Sequence, residues 1–282
     1  MEQGLFMKIL APALERDNSA PDDLVNEEGM RVCAVCGEAK QHWFEVPGLI
    51  SKRKRSRMCR CDREKRDAEE AEQKQRELQQ RIAYYRKEGL TDEQYRECIF
   101  EKDDGADQKA SVFCKKYVEN WEWAQEKNAG LMLWGDVGGG KTFLAACIAN
   151  ALIDQGIPVM MTTIPKLVTA MTKDFGADRG SILRMIGKIP LLVLDDVGTE
   201  RNTEFSNEQV YEIINERYKS NKPLIVTTNL TMEAMRTIED VTKRRIYDRI
   251  VEMCTPQKVV TAGRRQQAAR SKMNQMYERF GL

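Results

Sequence analysis

The spacing of apolar and polar positions divides this chain near residue 89. Before that point, residues 62–87 are rich in Glu, Lys, Arg, Gln and Ala and contain no Gly or Pro, a helix-forming composition. Ala68, Ala71, Gln75, Leu78, Ile82 and Tyr85 follow a three-four spacing, a stripe too thin for a self-sufficient coiled coil. This predicts a helical connector, which Glu88-Gly89-Leu90-Thr91 ends. Beyond it a short helix is expected over 92–100. Ala110, Phe113, Cys114, Tyr117, Val118 and Trp121 then predict a helix with one inward face, Cys114 being core. Short apolar runs follow at 130–134, 158–163, 189–194 and 223–229, alternating with helical stretches at 143–149, 166–171, 182–186 and 207–218. A last strand is expected at 259–261 and a polar helix over 264–280. Runs apolar on both faces, separated by helices, predict a parallel sheet covered on both sides. The expected organisation is thus a module over 1–88 and an α/β domain over 89–282.

The chemistry concentrates on Gly135-Asp136-Val137-Gly138-Gly139-Gly140-Lys141-Thr142, which matches G-x-x-x-x-G-K-[ST]. Glycines let backbone N–H groups approach phosphates with no Cβ in the way. Lys141 is expected on the β/γ-phosphates of a nucleotide and the Thr142 hydroxyl on Mg²⁺. The strand before the loop, and the helix that Phe143 continues behind it, give the setting this motif requires.

The run Leu191-Leu192-Val193-Leu194 ends in Asp195-Asp196, at the strand end where such sheets bind ligands. Asp195 is the expected Mg²⁺ partner and Asp196 the candidate for polarising an attacking water. Asn229, at the polar end of the next strand, either touches the γ-phosphate or that water, or is simply a favoured turn residue. Arg245 and Arg249 lie four apart, on one face of a helix.

Two cysteine pairs, Cys33-Ala34-Val35-Cys36 and Cys59-Arg60-Cys61, can together supply a tetrahedral sulfur site for Zn²⁺, with Gly37 allowing the turn after the first. The second pair departs from C-x-x-C, and His42, the only histidine, can substitute for one thiol. The alternative is four ordinary cysteines. Structural zinc is favoured because so polar a segment has little core of its own. A basic cluster lies around the second pair: Lys52, Arg53, Lys54, Arg55, Arg57, Arg60, Arg63, Lys65 and Arg66. It reads equally as phosphate-neutralising or as a solvated face, and Trp43 and Phe44 can stack bases or fill a small core.

Composition adds bounds. At 282 residues and 41% apolar the chain can build a real core, and a net charge of +1 leaves only local clusters informative about partners. No apolar run is long enough to cross a bilayer, and Glu2 without a basic leader argues against a signal peptide. Eight cysteines, four in close pairs and the rest in apolar surroundings, fit a reducing cytoplasm.

Taken in order, these motifs resemble the AAA+ family, and more narrowly the bacterial and phage replicative-helicase loaders of the DnaC/DnaI type, relatives of the IstB transposition ATPase. The likeness is carried by Gly130 to Thr142, Leu191 to Gly198, Ile213-Ile-Asn-Glu-Arg-Tyr218, Thr227-Thr-Asn-Leu230 and Arg245-Ile-Tyr-Asp-Arg249, within residues 90–265. A cysteine-bearing module ahead of the ATPase is similar to the DnaI side. The resemblance implies an oligomeric, phosphate-loop ATPase that escorts a hexameric ring helicase onto single-stranded DNA, its ATP sites lying between subunits. It implies that Arg249, or its rival Arg245, is an arginine finger, that Asn229 is the first sensor and that Arg264 or Arg265 is the second. Three features depart from the pattern. Asp195-Asp196 stands where Asp-Glu is usual, which points to slow or partner-dependent hydrolysis. No sizeable helical lid follows the last strand, and the cysteine spacing is irregular.

Overall fold

In a computed structural model of the chain, the described residues are 22–45, 52–173, 179–199, 203–260 and 264–280. The sequence also predicts an N-terminal arm over residues 1 to about 30 and a loop at 175–180; the arm up to residue 21 and most of that loop lie outside the described residues. The chain divides into two compact units within one helix, between Leu78 and Gln79.

In the first unit, β1 (Leu24–Val25) pairs antiparallel with β2 (Arg31–Val32), and β3 (Gln41–Glu45) with β4 (Lys52–Ser56). Helix α1 spans Arg60–Gly89. The strands extend the sequence reading, which found only helix here. Lys52-Arg53-Lys54-Arg55 has no apolar alternation, so its strand exists only through the ladder with β3. Ala68, Ala71 and Gln75 are exposed, and the thin stripe of α1 is buried only at Ile82. Arg76–Glu72 (2.7 Å) and Arg66–Glu70 (3.5 Å) brace its polar middle as i,i+4 pairs.

The second unit continues with α2 (Glu93–Arg96) and a 3₁₀ turn at Phe100–Lys102, where one short helix was expected. The helix expected over 110–121 is two, α3 (Gln108–Glu119) and α4 (Trp121–Glu126), with Asn120 between them and Trp121 buried. Then come β5 (Gly130–Trp134), α5 (Lys141–Asp154), β6 (Val159–Thr163), α6 (Ile164–Lys173) and α7 (Arg179–Lys188). Next are β7 (Leu191–Val197), α8 (Glu204–Ser220), β8 (Leu224–Thr228), α9 (Met232–Arg236) and α10 (Val241–Met253). The last elements are β9 (Cys254–Lys258) and α11 (Arg264–Phe280).

The sheet is five-stranded and parallel, in the order β6-β7-β8-β5-β9. Leu131, Met132, Leu133, Leu192, Val193, Leu194, Ile225 and Val226 are fully buried within it. The final strand lies five residues earlier than the sequence predicts. Cys254–Lys258 holds Thr, Pro and Gln, which hide it, and Pro256 is tolerated because β9 is an edge strand. Among the described residues, one helix follows it.

Arg217, fully buried and without a carboxylate partner among its bonds, knits the far side of this sheet. Its guanidinium donates to the carbonyls of Ile186 (2.9 Å), Ile189 (2.7 Å), Pro190 (2.7 Å) and Pro223 (3.1 Å), satisfying the end of α7 and the entry to β8. Burial pushes its pKa down to about 10.

Candidate functional site

The chain leaves β5 in one direction across the sheet and returns to its other side at β9, so the carboxyl ends of β5, β8 and β7 form the crevice where such sheets bind ligands. Gly135 begins the turn with φ 144°, and a Cβ there would lie 2.4 Å from the Val259 carbonyl oxygen. Gly140, at φ 88°, caps α5 in the left-handed region, a conformation that glycine adopts without strain where the loop turns into the helix. The 7%-exposed Lys141 donates from Nζ to the Gly135 (3.0 Å) and Asp136 (2.7 Å) carbonyls, and so sits inside the loop.

Asp195 is the hub. Its Oδ1 accepts from Thr142 Oγ1 (2.8 Å) and Thr227 Oγ1 (2.6 Å), and its Oδ2 from the Tyr95 hydroxyl (3.0 Å). β7, β8, the phosphate loop and the segment ahead of the sheet therefore meet on one carboxylate. Neighbouring residues on a strand point to opposite faces, yet Asp195 and Asp196 line the same pocket. The reason is a register shift in the β7–β8 ladder between Leu194 and Val197, with Asp196 at φ 58°. The Asp196 N–H donates to Thr227 Oγ1 (2.8 Å), and Asn229 Nδ2 donates to Asp196 Oδ1 (3.2 Å). The pocket, about 430 Å³, is also lined by Val137, Gly138, Gly139 and Phe143.

Thr142 and Asp195 offer a hard, all-oxygen donor set that fits Mg²⁺. The loop's turned-in backbone and buried Lys141 fit a polyphosphate. Lys141, Thr142, Asp195, Asp196 and Asn229 are thus brought together. Arg245 and Arg249 are not among the lining residues. Arg249 lies with its guanidinium 4.6 Å from the Tyr211 ring centre and 5.4 Å from that of Tyr218, and Arg245 is exposed. Nothing is described of the Arg264 and Arg265 side chains.

Sequence reasoning missed Gln94, Tyr95, Cys98 and Thr227 as pocket residues. Tyr95 comes from α2, a single helical turn with no motif. Asn150, on α5, fixes it there by donating to the Tyr95 (2.7 Å) and Cys98 (2.9 Å) carbonyls. Burial first, and Asp195 second, push the Tyr95 phenol pKa up, in keeping with a hydroxyl that acts as the hydrogen-bond donor to the carboxylate. Thr227 was legible in principle, as a polar residue ending an apolar strand.

In the first unit the sulfurs of Cys33, Cys36, Cys59 and Cys61 all lie within 4.8 Å of one another, and no disulfide joins them. Backbone N–H groups of Cys61 and Glu38 pull the Cys36 thiol down to about 6, while burial pushes Cys59 up to about 12. Four sulfurs this close cannot all ionise unaided. A dication with a preference for tetrahedral sulfur fits the set, and zinc is the usual one. His42 is not part of the cluster.

Crevice, phosphate loop and acidic strand end define a nucleotide-binding protein of AAA+ architecture. Residues 62–272 match the family described as IstB-like ATP binding protein, and the chain belongs to that family. It is 30% identical over 156 residues to the phage-like element PBSX protein XkdC of Bacillus subtilis, covering 53% of this chain and 57% of that one. To the replicative helicase loader DnaC of Escherichia coli it is 28% identical over 139 residues, 48% of this chain and 54% of that one. The crystal structure of DnaI superposes with a TM-score of 0.52 at 26% identity, covering 62% of this chain and 95% of that one. The chain spans about half the length of the curated relatives it matches. No described helix is long and apolar enough to cross a membrane.

Proposed function

We propose that this chain is an ATP-dependent loader of a replicative ring helicase onto single-stranded DNA, with 1–88 as the partner-binding module and 89–282 as the ATPase. One observation carries the reading: Thr142, Asp195 and Thr227, from three separate elements, are hydrogen-bonded around one pocket beside Lys141. The similarity to the replicative helicase loader DnaC of Escherichia coli supplies the context.

In this reading the loop amides and Lys141 bind the β/γ-phosphates of ATP. Thr142 and Asp195 would hold Mg²⁺, which supplies charge neutralisation at those oxygens. Asp196, held by Asn229, orients a water and accepts its proton as the water oxygen attacks the γ-phosphorus; ADP leaves with the bridging oxygen. Aspartate is one methylene shorter than the usual glutamate, which favours slow or partner-stimulated turnover. Arg249, from a neighbouring copy, stabilises charge on the transferred phosphoryl group. Arg249→Ala should then keep ATP binding and lose turnover by about 10³-fold; normal turnover would remove the finger assignment.

The test is capture of the source organism's replicative helicase, with and without ATP, by the wild type and by Lys141→Ala. ATP-sensitive capture that Lys141→Ala loses supports the loader. The family's IstB name favours one second reading, a transposition helper, and preference for duplex over single-stranded DNA without helicase capture would select it.

A further inference from the structure

We propose that the β3–β4 ribbon of the first unit is a second binding surface for single-stranded nucleic acid, separate from the phosphate-loop crevice. The inference does not depend on the loader reading. It starts from sorting the nine basic residues around the second cysteine pair by what each touches. Arg57 and Arg63 are drawn to Glu38 (4.0 and 3.1 Å), Lys52 to Glu45 (3.4 Å), Arg60 to Glu64 (3.9 Å), Lys65 to Glu69 (3.9 Å) and Arg66 to Asp67 (2.9 Å). Those six are structural or neutralised locally. Among the described residues no carboxylate pairs with Arg53 or Arg55, and both side chains are exposed.

The ladder decides where these charges point. Arg53 stands opposite Phe44 and Arg55 opposite His42, so both guanidiniums leave one face of the ribbon, two residues apart along the strand. At about 6.6–6.8 Å, that separation is close to the phosphate spacing of an extended single strand. Trp43 stands opposite Lys54 on the other face, with its indole 45% exposed and the Lys54 ammonium 5.1 Å from the ring centre. The face that carries Arg53 and Arg55 also carries the ring of the half-buried Phe44, directly across from Arg53, whereas Trp43 belongs to the opposite face. Cations that track a backbone, combined with rings on which bases stack, are how sequence-tolerant single-strand binders work. A guanidinium with no acid beside it is the group suited to a phosphate. The short ribbon offers two guanidiniums without a carboxylate partner among the described residues, enough for an auxiliary grip rather than a full site.

The experiment is fluorescence anisotropy of a labelled oligo-dT with the full zinc-loaded chain, without nucleotide, over a salt series. Arg53→Ala/Arg55→Ala should lower the slope of log K against log salt by about 1.4, two phosphate contacts on a single strand, and weaken binding roughly tenfold at 0.1 M salt. Arg53→Lys/Arg55→Lys should restore most of the slope, and Phe44→Ala, on the same face, should weaken binding without changing it. Zinc content and ATP affinity, measured on the same samples, report that both units remain folded. An unchanged slope in the double alanine variant overturns the proposal. So does loss of binding to an acidic polypeptide with oligo-dT binding intact, which would assign the ribbon to a protein partner.

Discussion

The two units of this chain are built on opposite principles. In the second, aliphatic side chains fill both faces of a parallel sheet: Leu131 to Leu133, Leu191 to Leu194 and Leu224 to Val226 are all fully enclosed. In the first, the buried residues among those described up to Leu78 are Cys33, Cys59 and Lys40. Lys40 is held between Asp23 (3.2 Å) and Asp62 (3.3 Å). An apolar core rewards burial continuously and tolerates local loss, whereas a few sulfurs and one buried cation hold a fold only while every partner is present. The difference sets an apolar platform behind the phosphate loop against a small head whose few buried groups include a sulfur cluster that fits a metal.

Three experiments press on that contrast. The largest effect is expected from metal removal or Cys59→Ser. Structural zinc contributes about 10–16 kcal/mol in small domains, so amides of residues 22–60 should lose hydrogen-exchange protection while those of β5, β7 and β8 keep theirs. A metal-free first unit with full protection would mean that something other than the sulfurs holds it. Next comes Arg217→Met, the nearest thing in the second unit to a single indispensable polar group. Stranding buried carbonyls of Ile186, Ile189 and Pro223 should cost about 3 kcal/mol of that unit's stability in denaturant titration and leave zinc content unchanged. A cost near zero would show the carbonyls finding other donors. The smallest is Tyr95→Phe, which removes one hydrogen bond to Asp195 and should cost about 1 kcal/mol. Because Tyr95 positions the carboxylate assigned to Mg²⁺, its loss should also alter the Mg²⁺ dependence of nucleotide binding; an unchanged Mg²⁺ titration would make it a packing residue only.

Legibility followed the same divide. Strands β5 to β8 announced themselves because a strand buried on both faces must be apolar throughout, and the phosphate loop because its chemistry demands a particular spelling. Strand β9 hid behind Thr255, Pro256 and Gln257, since an edge strand needs little apolar surface. The ribbon hid more completely: Lys52-Arg53-Lys54-Arg55 is a strand by pairing alone. The sulfur cluster was readable as residue types, but not the distances that bring its two pairs together.

What the sequence determined alone was local chemistry and periodicity: glycines where a backbone must turn toward phosphate, a lysine and threonine at the helix entry, two acids at a strand's end. Only the tertiary structure decided that both acids face one pocket, because that depends on a slipped ladder and one left-handed residue. It alone recruited Tyr95 to Asp195, across a hundred residues of chain. And it alone separated the spent cations from the unspent ones, since whether a charge is neutralised is fixed by its neighbours in space, which spacing along the chain does not encode.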